Sequence, residues 1–177
     1  GVPFRDRPID LEDMRGAYQV MRANPGISAL LEGNGESWLA QINGRVRELY
    51  EFLHTEPYPA CPLEELLSGR VYQFVPFVTP EEERPFLDAM PNCIHTRWHP
   101  MGLDIMPGDG GKDVGVQAAM ARYGLARDEI MAFGDGENDM PMLRLAGTAV
   151  AMGNAGAPVK ELADYVTAGV EEDGVSQ

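Results

Sequence analysis

The densest set of reactive side chains in the sequence is Gly134, Asp135, Gly136, Glu137, Asn138 and Asp139. Three carboxylates stand within five residues, beside the Asn138 amide. Carboxylates crowded into one turn repel one another. A divalent cation is the usual remedy, and oxygen-only donors favour Mg2+ or Ca2+. Gly134 and Gly136 let the backbone turn sharply and let a ligand come close. Met131, Ala132 and Phe133 precede the turn as an apolar run, predicting a short strand covered on both faces. A helix is predicted to restart at about Asn138.

Two plainer readings compete. An acidic turn after a strand is often a solvated loop or a helix cap. An EF-hand calcium loop fits Asp135, Glu137 and Asp139 at its first three ligand positions. It fails at Met140, where a glycine is needed, and at Ala146, where the closing glutamate belongs.

Lys112 is the second reactive residue. It opens a predicted helix, where the positive end of the dipole disfavours a cation, so its placement points to a local anion. A Walker loop does not explain it. Met106 stands where the first glycine should be, and Asp113 where Ser or Thr should be.

The elements that must position these residues are legible in outline. Leu11, Met14, Tyr18 and Met21 repeat at helical spacing after Asp10, a predicted cap. Asn34-Gly35 between two apolar runs predicts a hairpin. Asn43 predicts the cap of a helix carrying Val46, Leu49, Tyr50 and Leu53 on one face. Residues 71–78 read as a strand, with Pro76 near an edge or bend. Thr79, Pro80 and Glu82 form a capping-box pattern for a helix reaching about Met90. Two more strands follow, near 93–98 and 103–106. Residues 1–106 thus predict helices on one face of a mainly antiparallel sheet.

From Gly108 the pattern changes. Lys112–Tyr123 predicts a helix with Val116, Ala119, Met120 and Tyr123 inward. Strands near 130–133, 148–152 and 165–167 then alternate with helices near 138–145 and 157–163. Such alternation predicts a parallel, doubly wound sheet.

The composition narrows the function. The 177 residues carry a net charge of −14 and only two lysines, Lys112 and Lys160, beside twelve arginines. That surface repels nucleic acid and anionic membranes, so neither is an expected partner, and a phosphate site would need local cations. No apolar run approaches the ~20 residues of a membrane span, and no signal-like segment opens the chain. Cys61 and Cys93 make no disulfide framework and read as buried free thiols of a cytoplasmic protein.

These motifs have a family likeness. The turn from Gly134 to Asp139, followed by Met140, Met142 and Leu143, resembles the fourth motif of haloacid-dehalogenase-superfamily phosphatases, of the Cof type. Residues 105–112, ending in Lys112, resemble the third motif. Residues 150–155, 159–167 and 172–175 resemble the segments that follow. Phe77–Glu83 and Thr96–Trp98 resemble the cap of the branch acting on sugar phosphates. The resemblance implies an α/β protein in two parts. Residues 107–177 would be the C-terminal half of a doubly wound, Rossmann-like core, and residues 1–106 an α+β cap. It implies a Mg2+-dependent phosphatase of small phosphorylated metabolites, working through an aspartyl-phosphate. By that resemblance Asp135 binds Mg2+, and Asp139 belongs to the metal site, orienting metal-bound water or holding Lys112. Lys112 neutralises phosphate oxygens, and Asn138 donates a hydrogen bond to the phosphate. Glu137 is expected to be solvated. Arg97, Trp98 and His99 are candidates to line the mouth of the site.

One departure is sharp. The first motif, an Asp-x-Asp that supplies the nucleophile, occurs nowhere in the 177 residues. The resemblance therefore implies a missing N-terminal segment and a chain inactive by itself. The alternatives are a non-catalytic phosphate- or metal-binding regulatory module and an acidic Ca2+-binding domain.

Overall fold

The computed structural model describes residues 5–177, without the side chain of Leu66. The described residues divide into two compact units: Arg7–Gly110, and Gly111–Gln177 with Arg5 and Asp6. The expected cap also included residues 1–4, which lie outside the described residues.

The first unit is built on a five-stranded sheet. Its strands are β1 (Ala29–Glu32), β2 (Ser37–Leu39), β3 (Gln73–Pro76), β4 (Cys93–His99) and β5 (Gly102–Pro107). They run in the order β2-β1-β3-β5-β4, and every pairing is antiparallel. The predicted hairpin is β1–β2, with Gly35 at φ +85°, a conformation natural to glycine. Its helices are α1 (Leu11–Ala23), α2 (Gly44–Phe52) and α3 (Arg84–Ala89).

The expectation of helices on one face is wrong. Leu31 pairs with Phe74, and both belong to the core that α1 and α3 build through Met14, Ala17, Met21 and Phe86. Their neighbours Leu30 and Val75 also pair, and they pack in a separate core with Val46, Leu49 and Tyr50 of α2. Successive strand residues point to opposite faces, so the sheet is covered on both. Leu53, expected on the apolar face of α2, lies past its end and is exposed.

Three local expectations also change. Strand β3 is interior, and Pro76 is tolerated because it is the last residue of the strand. The helix expected from Pro80 begins only at Arg84. Glu82 does accept from the Thr79 amide (3.0 Å), as a capping box requires, but the same carboxylate also takes both arms of Arg45 (2.6 and 2.8 Å). Asp10 precedes α1 without a side-chain cap bond and accepts from Arg7 instead (3.4 Å). Asn43 caps α2 as expected, its Oδ1 accepting from Val46 N at 3.1 Å.

The second unit carries a parallel sheet in the order β6-β7-β8. The strands are β6 (Met131–Gly134), β7 (Thr148–Ala151) and β8 (Tyr165–Val166), with parallel pairing throughout. Helices α4 (Lys112–Tyr123), α5 (Met140–Leu145) and α6 (Ala157–Leu162) alternate with them. Ala132, Leu143, Ala149, Ala151 and Val159 form the core. Among the described residues β6 pairs only with β7, and its faces differ from the expectation that both are covered: Met131 is 60% exposed while its neighbour Ala132 is buried. α4 spans the predicted residues, yet it buries none of them, and Tyr123 is exposed.

Candidate active site

The acidic turn grows directly from the end of β6. A 3-10 turn, Glu137–Asp139, follows Gly136 and runs into α5. Asp139 is the turn's organising residue and one of few buried charges. Its Oδ2 accepts from the backbone N–H of Asp135 (3.0 Å) and of Gly136 (3.2 Å). Its Oδ1 accepts from Lys112 Nζ, at the first residue of α4. Of the two roles implied for Asp139, the contact with Lys112 is therefore present, and both of its oxygens are engaged.

This pairing sets the electrostatics. Burial raises the Asp139 carboxyl, but the Lys112 bond and the two backbone amides outweigh it and leave the group below its ordinary range. Lys112, by contrast, has a half-exposed side chain. It is a cation held in place by a buried anion, with its remaining N–H donors open to an incoming acceptor.

Asp135 is exposed at the tip of the turn. Its Oδ2 accepts from Asn154 Nδ2 at 2.8 Å. Asn138 lies against Gly136, where a Cβ would collide with its side chain. Glu137 is exposed. Among the described residues no three His, Cys, Asp or Glu side chains are grouped to enclose a metal ion. The donor set fits a hard cation only in part: Asp135 offers one acidic oxygen, and further ligands would have to come from water, phosphate or groups outside this set.

Other residues singled out in the sequence have partners within their own unit. Arg97 holds Glu83 through Nε (3.2 Å) and Nη2 (2.5 Å), and its Nη1 donates to the carbonyls of Val78, His99 and Pro100. It is a structural clamp. Trp98 is 41% exposed and its indole covers Gly102, while His99 stacks obliquely between Trp98 and Phe52. Lys160 donates to the Gly153 carbonyl at 2.6 Å. Cys61 and Cys93 are free and half-buried. Asn154 was missed as a separate residue. Its signal was a polar side chain just after a glycine at the end of a predicted strand, beside another strand that ends in Asp135.

The alternating parallel unit, the antiparallel unit and the Lys-carboxylate turn together define a class. The chain belongs to the haloacid dehalogenase-like hydrolases, whose family profile matches residues 3–177. Among individual proteins it is 40% identical to YkrA of Bacillus subtilis (strain 168) over 106 residues, 60% of this chain and 41% of that one. It is 45% identical over 80 residues to the 5-amino-6-(5-phospho-D-ribitylamino)uracil phosphatase YitU of the same organism, 45% of this chain and 29% of that one. The solved structure of the HAD subclass IIB sugar phosphatase BT4131 superposes with a TM-score of 0.82 at 35% identity, covering 97% of this chain and 66% of that one. The chain thus spans less than two thirds of the length of each of these relatives.

No helix of the structure is long and apolar enough to cross a membrane, among the described residues.

Proposed function

We propose that this chain carries the cationic and carboxylate half of a phosphomonoester hydrolase that acts on small phosphorylated metabolites, sugar phosphates foremost, with Mg2+ as cofactor. The observation that carries it is the Lys112–Asp139 pair beside the exposed Asp135. The relatives support the substrate class, since BT4131 is a sugar phosphatase and YitU acts on a phosphorylated ribityl compound. On this reading Arg7–Gly110 supplies the cap, and Gly111–Gln177 the C-terminal half of the core.

Each residue has a physical task. Phosphoryl transfer asks mainly for positioning and charge neutralisation. Lys112 places its ammonium on phosphate oxygens, and Asp139 fixes that ammonium from behind. Asp139 belongs to the metal site only indirectly, because Lys112 and two backbone amides already occupy its oxygens. Asp135 presents a carboxylate oxygen to Mg2+, and Asn138 donates to the phosphate. Bound there, Mg2+ would neutralise charge on the phosphoryl group. The attacking carboxylate of an aspartyl-phosphate route is not among these 177 residues, which contain no Asp-x-Asp. The chain alone is therefore proposed to bind phosphate esters without hydrolysing them.

The test uses 31P NMR of a hexose phosphate titrated with the purified chain and Mg2+. The chain should broaden the phosphate signal, Lys112→Ala should not, and no inorganic phosphate should accumulate. Absence of broadening refutes the phosphate site. Hydrolysis that disappears in Asp135→Asn refutes the inactivity of the chain alone.

A further inference from the structure

Asn154 sits between two groups whose chemistry leaves its amide one orientation. Val170 N–H can only donate, and it donates to Asn154 Oδ1 at 3.0 Å. The Asp135 carboxylate, when ionised, can only accept, and its Oδ2 takes the Asn154 Nδ2–H at 2.8 Å. A side chain with one donor end and one acceptor end at this length is what the position requires. Aspartate keeps the acceptor for Val170 and loses the donor, alanine loses both, and glutamine is one methylene too long.

The backbone around Asn154 is pinned on all sides. Met152 N donates to Gly134 O at 2.9 Å, at the very end of β6. Gly153 N donates to Ala168 O at 3.0 Å, and the Gly153 carbonyl accepts Lys160 Nζ at 2.6 Å. A Cβ on Gly153 would come within 2.7 Å of Gly169 N, so the loop and the C-terminal segment touch backbone to backbone. That segment is itself closed, with Gly169 N donating to Glu172 Oε2 at 3.2 Å and Thr167 Oγ1 to Gly174 O at 2.6 Å.

We propose that Asn154 is a positioning residue for Asp135: anchored by the 3-10 turn Val170–Glu172, it commits Asp135 Oδ2 and leaves Oδ1 as the oxygen offered to a divalent cation. The turn near the C-terminus is thereby coupled to the cation site through one side chain. The inference rests on the reading of Asp135 as a cation ligand. Partners that orient a metal ligand commonly matter tenfold or more in affinity.

The experiment has two readouts on the isotope-labelled chain. In the metal-free protein, side-chain couplings of Asp135 report whether its χ1 holds one rotamer. In a Mn2+ titration, broadening of the Gly136 and Ala155 amide signals gives the midpoint of cation binding. Asn154→Ala and Asn154→Asp should both set the Asp135 χ1 averaging. Asn154→Ala should raise the Mn2+ midpoint about tenfold, with amide shifts confined to the neighbourhood of Asn154, Asp135 and the Val170–Glu172 turn. A purely structural Asn154, serving only the Val170 turn, predicts that Asn154→Asp leaves Asp135 fixed, because the acceptor survives. That result overturns the proposal, as does a single Asp135 rotamer in both variants. An unchanged Mn2+ midpoint in Asn154→Ala, with loss of broadening in Asp135→Asn, also overturns it. Broadening that persists in Asp135→Asn instead removes the cation reading itself, and the χ1 couplings then still decide whether Asn154 positions Asp135.

Discussion

Gly134→Ala should damage the site out of proportion to the single methyl it adds. Gly134 is the buried last residue of β6, and its φ lies outside the left-handed region, so the backbone itself accepts alanine. Space is the obstacle. The new Cβ would stand 2.6 Å from Asp139 Cβ and 3.1 Å from its Cγ and Oδ2. Asp139 Cβ is rooted on the backbone and cannot swing clear, so the 3-10 turn must move. Overpacking of this kind costs about 1–3 kcal/mol. The shift also strains the bonds from Asp135 N, Gly136 N and Lys112 to one carboxylate, and each bond to a charged group contributes about 1.5–3 kcal/mol. A loss of about 3 kcal/mol follows if overpacking adds to one weakened bond. Gly115→Ala is the comparison. That site is exposed within α4 with nothing near its Cβ, and alanine there should gain about 0.5–1 kcal/mol. Both tryptophans, Trp38 and Trp98, lie in the Arg7–Gly110 unit, so fluorescence would miss the change. Native-state hydrogen exchange of the Val150 and Ala151 amides reads the correct unit. Protection in Gly134→Ala within about 0.5 kcal/mol of wild type, the scatter of ordinary surface substitutions, would refute the reasoning.

Three further outcomes are expected. Asp139 is held below its ordinary value of 3.8 against burial by Lys112 and two amides, so its stabilisation is present above that pH and lost as pH falls through the folded value. Asp139→Asn should flatten this acid-side loss of exchange protection in the Gly111–Gln177 unit. In the other unit, the Arg45 fork and the Thr79 amide push the Glu82 carboxyl down to about 2. Urea midpoints read by tryptophan fluorescence should therefore fall between pH 4.5 and about 2, and Arg45→Met should remove most of that dependence. In an active phosphatase containing this chain, Lys112→Ala should lower kcat by ~100-fold or more, as for loss of a transition-state donor, while the exposed Arg144→Ala should be near neutral. Equal losses would remove Lys112 from the chemistry.

The acidic turn was legible because its causes are local. Crowded carboxylates, two glycines and an apolar run specify a strand and a turn within a dozen residues, and α4 begins and ends where its pattern does. The two-sided sheet of the first unit was not legible, because alternation along β1 and β3 says that faces differ without saying what covers each. The outward exposure of Met131 and Tyr123 depends on which strands and helices lie alongside, and no spacing records that. The partners of Asn154, Lys160 and Arg97 were not legible for a related reason. Each is defined by a bond to a group that is distant along the chain or to a backbone oxygen, and composition gives no sign of either.

The outer side of β6 has a colloidal consequence. Among the described residues β6 pairs only with β7, so no described strand lies along its other edge, beside an exposed Met131. Such an edge is a template for another strand. What opposes self-association is the net charge of −14, a repulsion that reaches about 10 Å at 0.1 M salt and only about 3 Å at 1 M. Added salt shortens that repulsion and leaves the edge untouched. Raising ionic strength is therefore expected to lower the concentration at which copies of this chain begin to pair.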